Sequence, residues 1–188
     1  MLEEAANADM ARRYREGTVG TLEFVRFYLR TLVPHPMERL LAWRSRYLER
    51  SILPRIPAAS RSLVAQHQRE GALVAIITAT NRFLTELTAL ELGVEHLIAT
   101  EAEMRNGCFT GELTGTPSFR EGKVTRLEEW LAGRGAALRD FQVSRFYSDS
   151  INDVPLLERV THPVAVDPDA RLERLAAERS WPVLRLHR

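Results

Sequence analysis

The sequence predicts an α/β protein with a Rossmann-like parallel sheet, a small helical subdomain before the sheet and one β-hairpin. After residue 58, strand-like and helical segments alternate, which is typical of parallel strands joined by helices. Before residue 53, apolar and aromatic positions recur only at helical spacing. The 188 residues, 45% of them hydrophobic, are enough to bury one sizeable core.

The helical start is divided by pairs of glycine and proline, the residues that most often break helices. The pairs are Gly17 and Gly20, Pro34 and Pro36, and Pro54 and Pro57. They predict a helical cap subdomain over residues 1–55 and an α/β core over residues 56–188. The aromatic residues Phe27, Trp43 and Tyr47 are interpreted as packing inside the cap.

Alternation in the core starts at a continuous apolar run over 73–77, which indicates a strand buried on both faces. Asn106-Gly107 is a strong hairpin signal between strands at 101–105 and 108–113. The same periodicities predict the other elements: helices at 58–70, 82–92, 122–132, 154–160 and 169–179, and strands at 96–99, 143–147, 163–166 and 182–186.

Charge and composition narrow the possible partners. The formal net charge is +1, which argues against a nucleic-acid partner. No apolar run approaches the length of a membrane span, and the polar start is unlike a secretory signal. The single cysteine, Cys108, forms no internal disulfide, which is consistent with the reducing cytoplasm that we predict.

The residues that follow the strands carry the candidate chemistry, because ligands of parallel sheets bind beyond the carboxyl ends of the strands. Thr78 follows the first strand, and Asp149 and Asp153 follow the strand at 143–147. Lys123 lies at a predicted helix start, where free N–H groups favour an anion. It is the only Lys beside 25 Arg, which indicates a place that needs a compact ammonium. Together these groups suit a phosphate and Mg²⁺.

Three segments resemble motifs of the haloacid dehalogenase superfamily. Ile76-Ile77-Thr78-Ala79-Thr80-Asn81 is similar to the second motif, a strand that ends in Ser or Thr. Arg120-Glu121-Gly122-Lys123 resembles the third motif, and Tyr147-Ser148-Asp149-Ser150-Ile151-Asn152-Asp153 resembles the acidic fourth motif. The order and spacing are most similar to the phosphoserine-phosphatase-like branch, whose helical cap lies between the first and second motifs.

The resemblance implies an Mg²⁺-dependent phosphatase that acts on a small phosphorylated metabolite such as phosphoserine or histidinol phosphate. Thr78 would bind the transferring phosphoryl group, and Lys123 would neutralise its charge. Asp149 would ligate Mg²⁺, while Asp153 would support the metal and orient Lys123. The predicted phosphate or substrate contacts are completed by Ala79, Asn81 and Asn152. In the family an Asp attacks phosphorus, and water hydrolyses the resulting aspartyl-phosphate.

The family's first motif, an apolar strand followed by Asp-x-Asp, has no counterpart before the cap. The one Asp-x-Asp of the chain is Asp167-Pro168-Asp169, which we interpret as a helix start with Asp169 as its N-cap. The chain is therefore expected to be truncated, either by an internal start at Met1 or as a remnant, and to be inactive by itself.

The absent first strand has a consequence for the sheet. In the family it lies between the strands predicted at 73–77 and 143–147, so its absence leaves two edges unpaired or forces them together. Unpaired buried backbone groups are costly, and open apolar edges promote aggregation. We therefore expect low solubility.

Structural roles compete with these functional ones. Thr78 can simply end a strand, Lys123 can be a solvated lysine, and Asp153 is expected to cap the following helix in part. Two other function classes also remain open. One is a non-catalytic phosphate or metabolite binder, and the other is an interaction module that uses the Arg-bearing faces of the first helices.

Overall fold

The computed structural model describes residues 2–186, so the outermost residues of the two predicted domains, Met1 and residues 187–188, lie outside it. The described helices are α1 Leu2–Glu16, α2 Thr21–Arg30, α3 Met37–Tyr47, α4 Ala58–Arg69, α5 Arg82–Glu91, α6 Glu121–Ala132, α7 Val154–Leu157 and α8 Ala170–Glu178. The strands are β1 Ala75–Asn81, β2 His96–Arg105, β3 Cys108–Thr114, β4 Arg145–Ser148, β5 His162–Val166 and β6 Val183–Leu184. No helix within 2–186 is long and apolar enough to span a membrane.

The strands form two separate three-stranded sheets, with the orders β1-β2-β3 and β4-β5-β6. β1 pairs parallel with β2, and β4 and β6 both pair parallel with β5. β2 and β3 form the predicted antiparallel hairpin, whose turn residues Asn106 and Gly107 both have positive φ angles, 51° and 79°. The α/β class and the hairpin are thus confirmed.

The edges of the two sheets face each other. β1 is the outer strand of its sheet, β4 is the outer strand of the other, and neither pairs on its free side with any strand in 2–186. A cavity of about 900 Å³ lies between them and is lined by residues of both strands, among them Ile76, Ile77, Phe146 and Tyr147. We call this cavity the strand slot. The two edges are therefore left unpaired and are not forced together.

The first helices pack on the far half of the hairpin. Val25 and Leu29 of α2 share a buried cluster with Leu40 of α3 and Phe109 of β3. An ion pair of 2.7 Å between Arg26 Nε and Glu112 Oε2 joins α2 to β3 as well. The hairpin thus holds α2 and α3 against the first sheet. The predicted domain division between residues 55 and 56 stays a prediction.

Several predicted elements differ from the observed ones. β1 continues through 78–81 because Asn81 still pairs with Thr100 beyond a register shift. The predicted strands at 96–99 and 101–105 are one strand, since β2 pairs first with β1 and then with β3. Trp43 and Tyr47, interpreted as core residues, are 45% and 49% exposed. Helical periodicity alone does not separate a buried helix face from an exposed one.

The two predicted caps also had different outcomes. Asp169 caps α8 as predicted, because its carboxylate accepts hydrogen bonds from Arg171 N and Leu172 N at 2.9 Å. The partial cap predicted for Asp153 is wrong, since its side chain makes no cap hydrogen bond at α7. Its carboxylate is instead held by Lys123 and Ser148, as described below.

Candidate active site

One cavity of about 670 Å³ gathers the end of β1, the start of α6 and the loop after β4. We call it the site cavity. The predicted site residues that line it are Thr78, Ala79, Asn81, Lys123, Asp149 and Asp153. These residues come from three segments separated by tens of positions in the sequence. They meet because parallel strands end at the same edge of a sheet.

The centre of the site is a buried ion pair between Lys123 and Asp153. Lys123 Nζ lies 2.6 Å from each carboxylate oxygen of Asp153, and the two side chains are 7% and 9% exposed. Ser148 Oγ donates a further hydrogen bond of 2.7 Å to Asp153 Oδ2. A buried charge pair persists only when its remaining hydrogen-bonding capacity is used, and Ser148 supplies that partner. The ammonium is thereby fixed in position at the first turn of α6.

Asp149 lies on the same side of the cavity but has a different environment. Asp149 is exposed at the cavity, but the protein atoms around its carboxylate remove part of its hydration. This partial desolvation raises the pKa of Asp149, and the nearby Asp153 carboxylate adds to the rise. Lys123 counteracts the rise from a distance. Asp149 is therefore a carboxylate whose charge would be stabilised by an added cation.

Thr78 lies near the end of β1, half-buried, and its Oγ1 accepts a hydrogen bond of 3.2 Å from Thr80 N. The adjoining carbonyl of Ala79 accepts a hydrogen bond of 2.9 Å from Thr100 Oγ1. Thr100 is 1% exposed and also accepts from Ser118 N at 3.1 Å. This buried threonine therefore fixes the backbone that carries Thr78. Thr100 is not predicted from the sequence, because a single Thr inside a strand has no local signature.

The two asparagines predicted to contact phosphate have mainly structural contacts. Asn81 is 5% exposed, and its Oδ1 accepts from Leu84 N at 3.0 Å as the N-cap of α5. Asn152 is absent from the lining of the site cavity. Its Oδ1 accepts from Arg120 Nε at 3.1 Å, and its Nδ2 donates to the Tyr14 carbonyl at 3.4 Å. Asn152 thus links the fourth-motif loop to α1.

At the start of α6, the backbone at Gly122 lies unusually close to the backbone at Pro117. Arg120 precedes the helix with φ of 50°, and its guanidinium donates to the Gly17 carbonyl at 2.7 Å. A Cβ at Gly122 would lie 2.0 Å from the Pro117 carbonyl oxygen, so only glycine fits there. This approach sets the position of Lys123, the next residue along the chain.

Gly122→Ala is therefore expected to lower the free energy of unfolding by about 3 kcal/mol, because the clash is with backbone and cannot be relieved by a side-chain movement. Gly133→Ala at the other end of α6 is the matched control. Its Cβ would meet nothing closer than 3.6 Å, and we expect a change within about 0.5 kcal/mol. Urea unfolding followed by circular dichroism measures both, and equal stabilities of the two variants would contradict the assignment.

The N-terminal helices close the site cavity with aromatic side chains. Tyr14 of α1, Phe24 and Tyr28 of α2, and Tyr47 of α3 line it, together with the guanidinium-bearing Arg15. Tyr14 and Phe24 stack with ring centroids 4.6 Å apart. Tyr14 and Tyr28 are not predicted as site residues from the sequence, where Tyr47 has the spacing of a core residue. The wall offers flat apolar surfaces, phenolic hydroxyls and one positive charge to whatever occupies the cavity.

The chemistry of this cavity agrees with the comparison to known protein families. The sequence model for haloacid dehalogenase-like hydrolases matches residues 2–158, which is most of the chain. The chain belongs to the haloacid dehalogenase-like hydrolase family. The resemblance of the three motifs to this superfamily is thus confirmed.

Individual relatives of this haloacid dehalogenase-like chain support its assignment to the family. It is 41% identical over 182 residues to a histidinol-phosphatase of Neisseria meningitidis serogroup C (strain 8013), covering 96% of this chain and 82% of the relative. A crystal structure of a protein of unknown function from Bordetella pertussis Tohama I superimposes with a TM-score of 0.92 at 45% identity, covering 97% of this chain and 82% of that one.

A phospho-aspartyl intermediate analogue of phosphoserine phosphatase shares the fold, with a TM-score of 0.73 at 17% identity. It covers 98% of this chain and 81% of that one. The phosphoserine-phosphatase-like fold is therefore confirmed. The family is one of hydrolases, and the relative from Neisseria meningitidis is named a phosphatase.

The donor set of the site cavity fits Mg²⁺. Mg²⁺ in proteins is typically bound by one or two carboxylates, with water and phosphate oxygens completing the octahedron. Asp149 offers such a carboxylate to the cavity, while both oxygens of Asp153 are held by Lys123 and Ser148. Among the side chains that the structure describes, no cluster of three or more His, Cys, Asp or Glu could hold a metal alone. The site therefore fits a cation that shares its shell with phosphate.

Proposed function

We propose that this chain is a Mg²⁺-dependent phosphomonoester hydrolase of the haloacid dehalogenase type whose nucleophile is not among these 188 residues. The observation that carries the proposal is the buried Lys123–Asp153 pair, 2.6 Å apart, on the cavity that Thr78 and Asp149 also line. A fixed ammonium, a hydroxyl and a carboxylate are the groups that phosphoryl transfer requires around the phosphate. By themselves the 188 residues are expected to release no phosphate from phosphoesters.

Each group has a proposed role in that chemistry. Lys123 balances negative charge on the phosphoryl oxygens, and Asp153 holds the ammonium in place. Thr78 donates its hydroxyl hydrogen to a phosphoryl oxygen, next to the backbone N–H groups at the end of β1. Asp149 ligates Mg²⁺, which when bound supplies charge neutralisation of the phosphate. Asn81 and Ala79 contribute the surrounding backbone, and Asn152 acts through its link to α1.

The proposed substrate is a small phosphorylated metabolite, and histidinol phosphate is favoured. A cavity of about 670 Å³ with Tyr14, Tyr28 and Tyr47 in its wall suits a flat heterocycle beside the phosphate. The relative named histidinol-phosphatase, 41% identical to this chain, supports this choice. Phosphoserine is the second candidate, because the Arg15 guanidinium at the cavity is a partner for a substrate carboxylate. Isothermal titration of the two esters with Mg²⁺ tests the order of affinity.

Asp149→Asn is expected to abolish the stabilisation that Mg²⁺ and orthophosphate together give the wild-type chain. For a domain of this size, each kcal/mol of ligand binding raises Tm by about 3 °C. Since burial raises the pKa of Asp149, the neutral variant should be at least as stable as wild type without Mg²⁺. Differential scanning calorimetry with and without both ligands measures the effect.

Asp9→Asn, on the exposed α1 surface, is the matched control and should respond to Mg²⁺ and phosphate like wild type. An Asp149→Asn variant that keeps the full response would remove the metal assignment. Phosphate release by the wild-type chain alone would contradict its proposed inactivity.

A non-catalytic binder of phosphate or of a phosphorylated metabolite is the alternative, since the same cavity holds phosphate without chemistry. This alternative predicts that the phosphorylated ligand still binds, but is not hydrolysed, when a nucleophile is supplied. For an interaction module, the formal net charge of +1 argues against a nucleic-acid partner, while a protein partner for the exposed Arg side chains of the first helices stays open. We also propose that the protein is cytoplasmic. Residues 1–55 are proposed to form the cap subdomain.

A further inference from the structure

The C-terminal turn of α1, residues 14–17, is held by side chains from distant parts of the chain. Arg120, which precedes α6, donates from Nη2 to the Gly17 carbonyl at 2.7 Å. Arg171 of α8 donates from Nη1 to the Glu16 carbonyl at 2.9 Å. The last carbonyls of a helix have no intrahelical partner and carry partial negative charge, so guanidinium groups are well suited to bind them.

Asn152 is a third donor to this turn and links it to the fourth-motif loop. Its Nδ2 donates to the Tyr14 carbonyl at 3.4 Å, and its Oδ1 accepts from Arg120 Nε at 3.1 Å. Arg120 therefore holds the α1 turn and Asn152 at the same time, through two nitrogens of one planar group. We call the three donors the turn clamp: Arg120, Asn152 and Arg171.

Gly17 allows both guanidinium groups to reach the end of α1. Its φ of 71° is in the left-handed region, which glycine adopts without strain. A Cβ at Gly17 would lie 2.9 Å from Arg171 Nη1 and 3.6 Å from Arg120 Nη2. A side chain at this position would therefore compete with the clamp for the same space.

The turn that the clamp holds reaches the site cavity. Tyr14 and Arg15 both line this cavity. Burial raises the pKa of Tyr14, and a hydrogen bond with the Ser150 side chain partly counteracts the rise. The carboxylates of Asp153 and Asp149 raise the pKa of Tyr14 further, because its phenol lies near them. The last turn of α1 thus brings an aromatic hydroxyl to the acidic side of the site.

The clamp is also continuous with the aromatic wall of the cavity. The Arg120 guanidinium lies 5.0 Å from the ring centroid of Phe119, which is 1% exposed. Phe119 stacks on Tyr14, with ring centroids 5.6 Å apart. The residue before Arg120 therefore supports the ring of Tyr14, while the clamp holds its carbonyl.

We propose that the turn clamp positions Tyr14 and Arg15 at the site cavity for recognition of the organic part of the substrate. Arg120 and Arg171 are then positioning residues of the site, although neither lines the cavity. The positioning itself is independent of the proposed function. Only its consequence for substrate binding rests on that function.

The test uses four variants of the full chain, two that release the clamp and two controls. Arg171→Met removes the donor to α1, whereas Arg171→Lys keeps one cationic donor and is the first control. Arg120→Lys keeps the charge but lacks the planar group that holds two partners. Arg179→Met is the second control, because Arg179 pairs with Glu158 at 3.0 Å at the other end of α8.

Hydrogen exchange measured by mass spectrometry tests the positioning without any ligand. The amides of Gly17 and Thr18 close the α1 turn with hydrogen bonds of 3.0 and 2.9 Å, so their exchange reports on it. We expect the two releasing variants to exchange these amides faster by about tenfold or more, and the two controls to stay within about threefold of wild type. Unchanged exchange in both releasing variants would overturn the inference. If Arg120→Lys does not fold, the two Arg171 variants still decide the question.

Isothermal titration in the presence of Mg²⁺ tests the consequence for substrate binding. The releasing variants are expected to bind histidinol phosphate about tenfold more weakly than wild type, but orthophosphate within about threefold of it. Only the ester has an organic part that Tyr14 and Arg15 can contact. A general loss of structure would weaken both ligands alike, so equal losses would overturn the inference.

A background without the two cavity side chains shows which groups the clamp acts through. When Arg171→Met is added to Tyr14→Leu with Arg15→Met, ester binding should weaken by less than about threefold, since the groups that the clamp positions are already absent. A further loss of about tenfold would mean that the clamp acts on the ester by another route, and it would also overturn the inference.

The two measurements separate this inference from the proposed function. Faster exchange of the α1 turn in the releasing variants of a chain that binds neither ligand would support the positioning and count against the phosphatase proposal. Unchanged exchange in a chain that binds both ligands would count against the turn clamp and leave the phosphatase proposal in place.

Discussion

Lys123→Met is expected to lower the free energy of unfolding by about 4 kcal/mol, because it leaves the Asp153 carboxylate buried without its counter-charge. The Asp153 side chain is 9% exposed, and among the described residues only the Ser148 hydroxyl would remain as a hydrogen-bond partner of its carboxylate. A chain of this size typically unfolds with a total free energy of about 5–15 kcal/mol, so the variant is expected to lie close to its folding limit. Urea titration followed by circular dichroism gives the change directly.

An exposed ion pair is the control for Lys123→Met. Arg61 Nη1 lies 3.2 Å from Glu91 Oε1, with the two side chains 37% and 41% exposed. Arg61→Met should cost no more than about 1 kcal/mol, since solvent screens such a pair and side-chain entropy opposes it. If both Met variants lose the same free energy, Lys123 and Asp153 do not form the buried pair described here.

The double variant Lys123→Met with Asp153→Leu separates stability from phosphate binding. Replacing both members of a buried ion pair by apolar side chains is often neutral, so most of the lost stability should return. The ability to bind orthophosphate with Mg²⁺ should not return, because the double variant has no ammonium at the site cavity. A double variant that regains phosphate binding would contradict the proposed role of Lys123.

The central site could be anticipated from the sequence because its signals are local. The apolar run before Thr78, the only Lys of the chain and the acidic loop at 149–153 each have a recognisable pattern, and the parallel topology brings them together. The supporting contacts have no such pattern. Thr100 acts through a neighbouring strand, and Ser148 through a carboxylate five residues away.

The differences between the predicted and the observed side-chain contacts have a common cause, which is competition from partners distant in the sequence. Asp153 is an ordinary helix cap by position, but a lysine thirty residues away takes its carboxylate. Asn152 is close in the sequence to residues that are predicted to bind phosphate, yet its amide lies between Arg120 and α1. Tyr47 has the spacing of a core residue, but the arrangement of the N-terminal helices places it at the site cavity. Such competition between partners is visible only once the chain is folded.

A strand fused to this chain in cis is expected to give the largest functional change. The fusion carries an apolar segment of about six residues, then Asp-x-Asp, then a flexible linker joined to Leu2. Tethering raises the effective concentration of the strand at the slot to about the millimolar range, so the strand should fill the slot. The first aspartate would then reach the site cavity beside Asp149, near Lys123 and Thr78.

The expected result is hydrolysis of histidinol phosphate or phosphoserine that depends on Mg²⁺, where the unfused chain gives none. In this step an oxygen of the first aspartate forms a bond to phosphorus, the ester oxygen leaves and takes a proton, and water then hydrolyses the acyl phosphate to orthophosphate. In enzymes that form a covalent intermediate, removing the nucleophile lowers kcat by about 10³-fold or more. The matched control therefore has asparagine at the first aspartate and should be as stable as the active fusion but inactive.

Tm and phosphate release report separately on strand binding and on catalysis. Both fusions are expected to melt at higher temperature than the unfused chain, because the strand satisfies the backbone edges of β1 and β4 and removes an aggregation-prone opening. Unchanged Tm values would count against the strand slot. A raised Tm with no hydrolysis from the Asp-x-Asp fusion would instead count against the phosphatase, and it would favour a domain that binds phosphorylated metabolites without transforming them.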